Sequence, residues 1–320
     1  MVSEFQLVRK YFTHPVKNTR VGIGDDCALL QLRPGMELAV STDMLVSGTH
    51  FFPDADPFQL GHKVLAVNLS DLAAVGGVPR WATLAVALPE VDEAWIEAFS
   101  RGFFALADLC EVDLIGGDTT RGPLNFCVQI MGEVPIGTAL LRSGARTGDE
   151  VWVSGELGDA ALALAHLQGR TRLDPNALAT CLPRLNAPTP RVELGWALRG
   201  IATSCIDVSD GLLQDLGHIL EMSGVGVELR MNRLPRSAVL ASHSDAACAM
   251  ECVLGGGDDY ELCFTANRAS HGAVEALIAQ IGVRLTCIGE IVSQHGMRVL
   301  DQHGAQIAVT KSGFDHFARR

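Results

Sequence analysis

The sequence predicts an α/β protein built as two domains, an arrangement of the α+β type, and three observations carry that reading. Apolar strand-like runs alternate with longer stretches of helical periodicity. The chain has 320 residues, 48% of them hydrophobic, enough to bury two cores rather than one. A polar, glycine-rich break over residues 137–149 separates two series of elements, which places a boundary near residue 140, with one domain at 1–140 and the other at 141–320.

The elements follow in order. "MELAVSTD" (36–43) reads as a strand ending in Ser-Thr-Asp. "DPFQLGHKVLAVNLSDLAAVGG" reads as a helix with Asp56 as N-cap, Pro57 at the first helical position and Gly76-Gly77 as the stop. "WATLAVALP" (81–89) is a second strand, and "DEAWIEAFSRGFFALADLC" a second helix with Trp95, Phe99, Phe103 and Leu106 on one face. "VDLIGGDTT" (112–120) and "LNFCVQIMGEVP" (124–135) close the first series as strands. Beyond the break a fresh strand starts at Glu150 and runs into "GELGDAALALAHLQG", a glycine turn opening a helix whose free amides could hold an anion. "SCIDVSDGLLQDLGHILEMSG" reads as a strand leading to a capped helix, and "CVLGGGDDYELCFTA" as an acidic glycine turn before a strand.

Composition excludes several classes. A formal net charge of −12 without a basic run argues against nucleic-acid binding, which takes clustered Lys and Arg. The only lysines are Lys10, Lys17, Lys63 and Lys311, and none follows a glycine, so a Walker A loop is absent. Protein-kinase signatures, a Gly-x-Ser-x-Gly elbow and zinc-type Cys/His spacing are missing too. The nine cysteines form no C-x-x-C pair, and the closest two, Cys248 and Cys252, read as ordinary buried thiols. With neither a signal-peptide pattern nor an apolar run of membrane-spanning length, the expected location is the cytoplasm, with no membrane partner.

The informative pattern is where the aspartates fall. Asp26, Asp43, Asp71, Asp118, Asp207, Asp210 and Asp258 mostly stand at strand ends or in adjoining glycine turns, the edges where α/β folds bind ligands. Taken singly, each has another explanation. Asp25-Asp26 in "VGIGDDCALL" could be a turn with an Asx bond, Ser41-Thr42-Asp43 a cap or loop, and Ser209-Asp210 the cap of the next helix. Asp71 lies inside an apolar helix, three residues after Asn68 on the same face, where an exposed polar stripe is the competing account. Taken together, carboxylates that converge need cations between them, and oxygen-only ligands suit Mg²⁺. His50, after the first acidic strand, is by itself more often a structural or exposed residue than a ligand.

"GIGDDCALL", "STDMLVSGTHF", "KVLAVNLSDLAAVGG", "LIGGDTTRGPL", "RSGARTGD", "IDVSDGLLQDLGHI" and "GGGDDYELCF" resemble, in content and order, the thiamine-monophosphate kinase family, from about residue 4 to "KSGFDHF" at the end. The resemblance implies the fold of aminoimidazole ribonucleotide synthetase: an N-terminal domain whose mixed sheet forms a barrel with its twin in a homodimer, and a C-terminal α/β domain. It implies ATP and several Mg²⁺ ions in a cleft, and transfer of the γ-phosphoryl of ATP to thiamine monophosphate. Carried over by motif, Asp26, Ser41, Thr42, Asp43, Asp71, Asp118, Asp207 and Asp210 would hold Mg²⁺, with Asp43, Asp118 and Asp210 at the catalytic centre. Phe103, Gly117, Asp118, Arg142 and Ser209 would touch ATP, and His50, Asp258 and Phe314 would contact thiamine monophosphate. Two positions depart from the family pattern, which commonly has Glu at 258 and Tyr or Trp at 314. Selenophosphate synthetase-like or hydrogenase-maturation chemistry, a non-catalytic binding protein and a two-metal phosphatase are the competing readings. The first two lack their reactive cysteines here.

Overall fold

The computed structural model describes residues 3–309, 313–314 and 317. It divides into two compact units, one of Met1–Leu72 with Gly77–Gly137, the other of Ala73–Gly76 with Thr138–Arg320.

The first unit opens with a short helix α1 (Glu4–Leu7), capped by Ser3, which runs on into a π-helical turn over Val8–Phe12. Then come β1 (Met36–Val46), α2 (Pro57–Ala74), β2 (Val78–Leu88), α3 (Glu93–Leu109), β3 (Asp113–Arg121) and β4 (Asn125–Pro135). The four strands form a mixed sheet in the order β1-β4-β2-β3, with β4 antiparallel to both neighbours and β2 parallel to β3. Parallel strands need a crossover, and α3 supplies it between β2 and β3. Asp56 caps α2 as the sequence predicts, accepting from the Gln59 amide at 2.9 Å. Asp92 does the same for α3 through the amides of Ala94 and Trp95. The predicted apolar face of α3 is the buried one: Phe99 stacks on Phe126 of β4 at 4.5 Å between centroids, and Phe103 and Leu106 are buried beside it.

Strand alternation decides the functional face of β1. Ser41, Asp43 and Leu45 turn toward α2, whereas Leu38, Val40 and Met44 stand exposed on the opposite face. The rest of that second face, at Trp81, Ile115 and Met131, is covered by Ala28, Leu30 and Leu32.

The second unit contains β5 (Glu150–Ser154), α4 (Asp159–Leu167), α5 (Pro175–Asn186), α6 (Val192–Leu198), β6 (Ala202–Val208), α7 (Leu212–Ser223), β7 (Gly226–Arg230), α8 (Ala238–Ala241), α9 (Ala246–Gly255), β8 (Glu261–Ala266), α10 (His271–Ile281), β9 (Leu285–Val292) and β10 (Gly296–Leu300). Its six strands are ordered β10-β7-β9-β5-β8-β6, and only the β10–β7 pair is parallel. Alternating strands and helices suggest a parallel sheet. Here β5, β6, β7 and β10 run one way and β8 and β9 the other, and β8 and β9 insert between strands of the first set, so the pairing is mostly antiparallel. The core gathers Val151 and Val153 of β5, Ile206 and Val208 of β6, and Leu212, Leu216 and Ile219 of α7. All nine cysteines are free thiols. Cys252 is buried, which pushes its thiol pKa up, and Cys248 is only partly so. Among the described residues no helix is long and apolar enough to cross a membrane.

Candidate active site

The residues singled out by sequence fall into separate groups, two in the first unit and one in the second.

The first group surrounds a cavity of about 620 Å³. Val21 and Leu29 exchange backbone hydrogen bonds, which closes "GIGDDCA" into a loop, with Gly24 turning it at φ +121°. Within the loop the Asp25 carboxylate accepts from the Asp26 amide at 3.2 Å, so Asp25 shapes the turn. The loop is anchored at its base by Asp113 on β3, which is buried and accepts from the amides of Lys17 (2.8 Å) and Asn18 (2.6 Å) and from the Thr19 hydroxyl (2.7 Å). Asp26 and Asp25 line the cavity together with Gly117 and Asp118 of β3, Leu84 and Val86 of β2, and Phe5, Val8, Arg9 and Phe12 of the N-terminal segment. Gly117 is required where it stands: it sits at φ +151°, and a Cβ there would meet the Leu84 carbonyl oxygen at 1.8 Å. Phe103 does not line this cavity. It is buried in the core, packed edge-to-face with Phe104.

The second group lies between β1 and α2. Ser41 donates to the Asp71 carboxylate at 2.5 Å, and the Asp43 amide donates to the Asn68 side chain at 3.1 Å. Asn68 is fully buried and is itself fixed by a 3.0 Å bond from its amide to the Val64 carbonyl. The polar stripe of α2 is therefore turned onto the acidic strand rather than exposed. Thr42 departs from the expected pairing with Ser41. Its side chain lies on the other face of the sheet, 3.4 Å from the Gln129 amide, because neighbouring strand residues point to opposite sides. His50 stands at the end of β1, its Nδ1 accepting from the Val46 amide at 2.9 Å.

The third group is in the second unit, where the turn after β6 meets the turn before β8. The Asp258 amide donates to the Ser209 carbonyl and the Tyr260 amide to the Val208 carbonyl, each at 2.8 Å. Asp258 and Tyr260 hold φ of +68° and +50°, a left-handed conformation uncommon for such side chains and concentrated at functional turns. The Tyr260 hydroxyl reaches the Asp258 carboxylate at 3.3 Å. Phe314 joins the same group, its amide donating to the Asp210 carbonyl at 3.0 Å. The closing motif "KSGFDHF" is described only at Gly313, Phe314 and Phe317. Asp207 is buried at the end of β6. Arg142 is exposed on a loop pinned by Ser223, whose hydroxyl donates to the Arg142 carbonyl at 3.2 Å.

Ser209 and Asp210 do not cap α7 with their side chains. Asp215, inside the helix, accepts from the amides of Ser209, Asp210 and Gly211 at 3.0 Å each. Burial, aided by the nearby Asp210 charge, raises the Asp215 pKa to about 7 despite those donors. The acceptor at the N-terminus of α4 is likewise supplied from within. Asp259 is buried, which raises its pKa well above the usual carboxylate range, and it accepts from the Gly158 amide at 2.9 and 3.0 Å. Next to it Glu261, fully buried, takes Ser154 at 2.6 Å, both Arg191 donors at 2.6 Å, and Arg184. Asp113, Asp215, Asp259 and Glu261 are what sequence reasoning missed as organisers of the site. Their one signal was a polar residue inside an apolar run.

Among the described residues, no three His, Cys, Asp or Glu side chains converge to hold a metal ion. The donor set still fits a hard cation: Ser41, Asp43 and Asp71 offer oxygens only, and Mg²⁺ commonly takes one or two carboxylates plus substrate phosphates.

Two α/β units carrying acidic turns at their strand ends define a class, and residues 24–134 match the family described as AIR synthase related protein, N-terminal domain. The chain is 48% identical over 321 residues to the thiamine-monophosphate kinase of Salmonella typhimurium, covering 98% of each. Its fold is similar to the crystal structure of thiamine-monophosphate kinase from Stenotrophomonas maltophilia K279a, with a TM-score of 0.84 at 49% identity over 88% of this chain and 91% of that one. It is also similar to AaThiL complexed with AMPPCP and TMP, with a TM-score of 0.78 at 30% identity over 99% and 97%. The chain belongs to the thiamine-monophosphate kinase family, and is an enzyme of the phosphotransferase class.

Proposed function

We propose that the protein transfers the γ-phosphoryl group of ATP to thiamine monophosphate, giving thiamine diphosphate and ADP by direct in-line displacement. The observation that carries this reading is the third group. A carboxylate turn made by Ser209 and Asp210 is hydrogen-bonded through its backbone to both Asp258 and Phe314. A carboxylate and an aromatic ring held together suit the cationic thiazolium of the acceptor, by charge and by cation–π attraction. Similarity over nearly the whole chain to AaThiL, bound to AMPPCP and TMP, supports the same substrate pair.

The nucleophile is a phosphate oxygen, whose second pKa of about 6 leaves it mostly ionised at neutral pH. No strong general base is needed. The barrier is the approach of two polyanions, so positioning and charge neutralisation carry the catalysis. Mg²⁺, when bound, would neutralise phosphate charge and align the two substrates. Asp26, Ser41, Asp43, Asp71, Asp118, Asp207 and Asp210 would hold the ions, Thr42 contributing through its backbone. Gly117 and Asp118 in the cavity, with Ser209 and Arg142, would orient ATP, while His50, Asp258 and Phe314 would orient the acceptor. Asp43, Asp118 and Asp210 stand nearest the chemistry in this scheme.

A homodimer belongs to the same reading, with domains at 1–140 and 141–320 and a cytoplasmic location. Leu38, Val40 and Met44 expose an apolar stripe along the edge strand β1, and a twin sheet laid over it would bury that stripe and close a barrel. Sedimentation velocity tests this: a dimer that Val40→Glu converts to monomer is expected, and a monomeric wild type would refute the stripe's role.

The test of the activity is product analysis with ATP, Mg²⁺ and thiamine monophosphate, against thiamine and no-acceptor controls. Thiamine diphosphate formed in step with ADP is the expected result. Phosphate release without acceptor would make the protein a hydrolase instead, and protein left labelled by ATP alone would exclude direct transfer.

A further inference from the structure

We propose that Gln214 is a positioning residue for the acceptor: its side-chain amide ties the carboxylate of Asp210 to the backbone that carries Phe314. The role rests on the reading above, in which Phe314 faces thiamine monophosphate.

Gln214 lies in the first turn of α7, half-buried, four residues after Asp210. Its Nε2 donates to the Phe314 carbonyl at 2.9 Å and to Asp210 Oδ2 at 3.3 Å. The Phe314 amide donates back to the Asp210 carbonyl at 3.0 Å. The result is a closed ring of three hydrogen bonds joining the acidic turn, the helix and the segment bearing Phe314.

A second observation shows how closely that segment is laid over the glutamine. A Cβ at Gly313 would meet Gln214 Oε1 at 2.4 Å, Cβ at 2.6 Å and Cδ at 2.8 Å. Any larger residue at 313 must displace the segment or the glutamine side chain. The chemistry also selects an amide. One nitrogen with two N–H groups serves two acceptors at once. Glutamate would set a second carboxylate against Asp210 and lose both donors, and an aliphatic side chain would offer nothing to either oxygen.

The functional consequence is a fixed spacing. Asp210 belongs to the phosphate end of the site and Phe314 to the ring end, so a shared donor sets the distance between the two ends of the acceptor. Loosening the tie weakens acceptor binding more than ATP binding, because Phe314 serves the acceptor alone, while ATP is held in part by Gly117 and Asp118 in a cavity that contains no part of the latch.

The test is steady-state kinetics of Gln214→Ala, Gly313→Ala and the double variant, with melting temperature and amide exchange at Phe314. Each single change should raise KM for thiamine monophosphate about three- to tenfold, the loss of one or two modest hydrogen bonds. KM for ATP should stay within about twofold on the same grounds. The double variant should be no worse than the worse single one, since both break one latch. Gln214→Glu should cost at least as much as Gln214→Ala, and amide exchange at Phe314 should quicken in all of them. An acceptor KM unchanged in Gln214→Ala, an equal rise for both substrates, or additive singles would overturn the proposal. Failure of the kinase reading is distinguishable: the wild type would form no thiamine diphosphate, which removes the role, while amide exchange would still report whether the latch exists.

Discussion

Replacing Glu261 by glutamine tests how the acidic turn of the second unit is held. Glu261 is completely buried and accepts from Ser154, from both Arg191 donors and from Arg184. Removing the charge leaves two guanidinium groups facing a neutral amide, one of whose ends is itself a donor. Breaking a buried ion pair on one side commonly costs about 3–5 kcal/mol. Here the Arg184 and Arg191 side chains keep 25% and 14% exposure, so part of the stranded charge reaches water and the lower end applies. A loss of about 3 kcal/mol is expected, and with a urea m-value of about 1–3 kcal/mol/M the midpoint should fall by about 1–3 M. Tryptophan fluorescence is a suitable assay because Trp152, buried on neighbouring β5, packs near Phe264, three residues beyond Glu261. Because Asp258 and Tyr260 sit at strained φ on the same turn, acceptor KM should rise as well. A midpoint within about 0.3 M of wild type would refute the reasoning and mark the cluster as solvated rather than structural.

Three further outcomes are expected. Asp43→Asn and Asp118→Asn should each lower kcat by about 100-fold or more with little change in melting temperature, since they remove charge at the reacting phosphates rather than core; near-normal turnover at saturating Mg²⁺ would sink the assignment. Gly117→Ala should destabilise the first unit by about 2 kcal/mol or more and impair ATP binding, because the new methyl meets the Leu84 carbonyl and the residue sits at positive φ; differential scanning calorimetry with an ATP titration reads both. The third outcome concerns pH. The bond to Glu150 at 2.7 Å holds the His271 pKa above its ordinary 6.5. A pKa raised in the folded state contributes stability that is complete below about 6.5 and lost as pH rises through the raised value. The melting-temperature advantage of wild type over His271→Gln should therefore be largest near pH 6 and fade toward pH 9. An advantage that grows with pH would contradict the sign.

Much of the first unit was legible before folding, for local reasons. Asp56 and Asp92 cap the helices they precede, and Phe99, Phe103 and Leu106 form the buried face that helical spacing marks. The second unit was less so. Helix α5 carries Pro183 in its interior and little apolar character, α8 is a single turn, and β7, β9 and β10 gain their pairing only from distant strands. None of these has a strong local period to read.

The candidate site divides along the same line. Sequence by itself determined which family the chain belongs to and which residues were the candidates for its chemistry. Aspartates at strand ends and glycine turns are local features, and seven such motifs in order leave little freedom. Only the tertiary structure decided which of them meet and what holds them. It turned Ser41 and Asp43 onto Asp71 and Asn68 while sending Thr42 to the other face, placed Asp26 in one cavity with Asp118, and buried Phe103 away from it. It also set Asp215 beneath the Ser209–Asp210 turn and Gln214 against Phe314. The physical reason is range. A cap or a turn is fixed by neighbours within about four residues, whereas the bond between Gln214 and Phe314 spans 100 positions, and no local pattern encodes it.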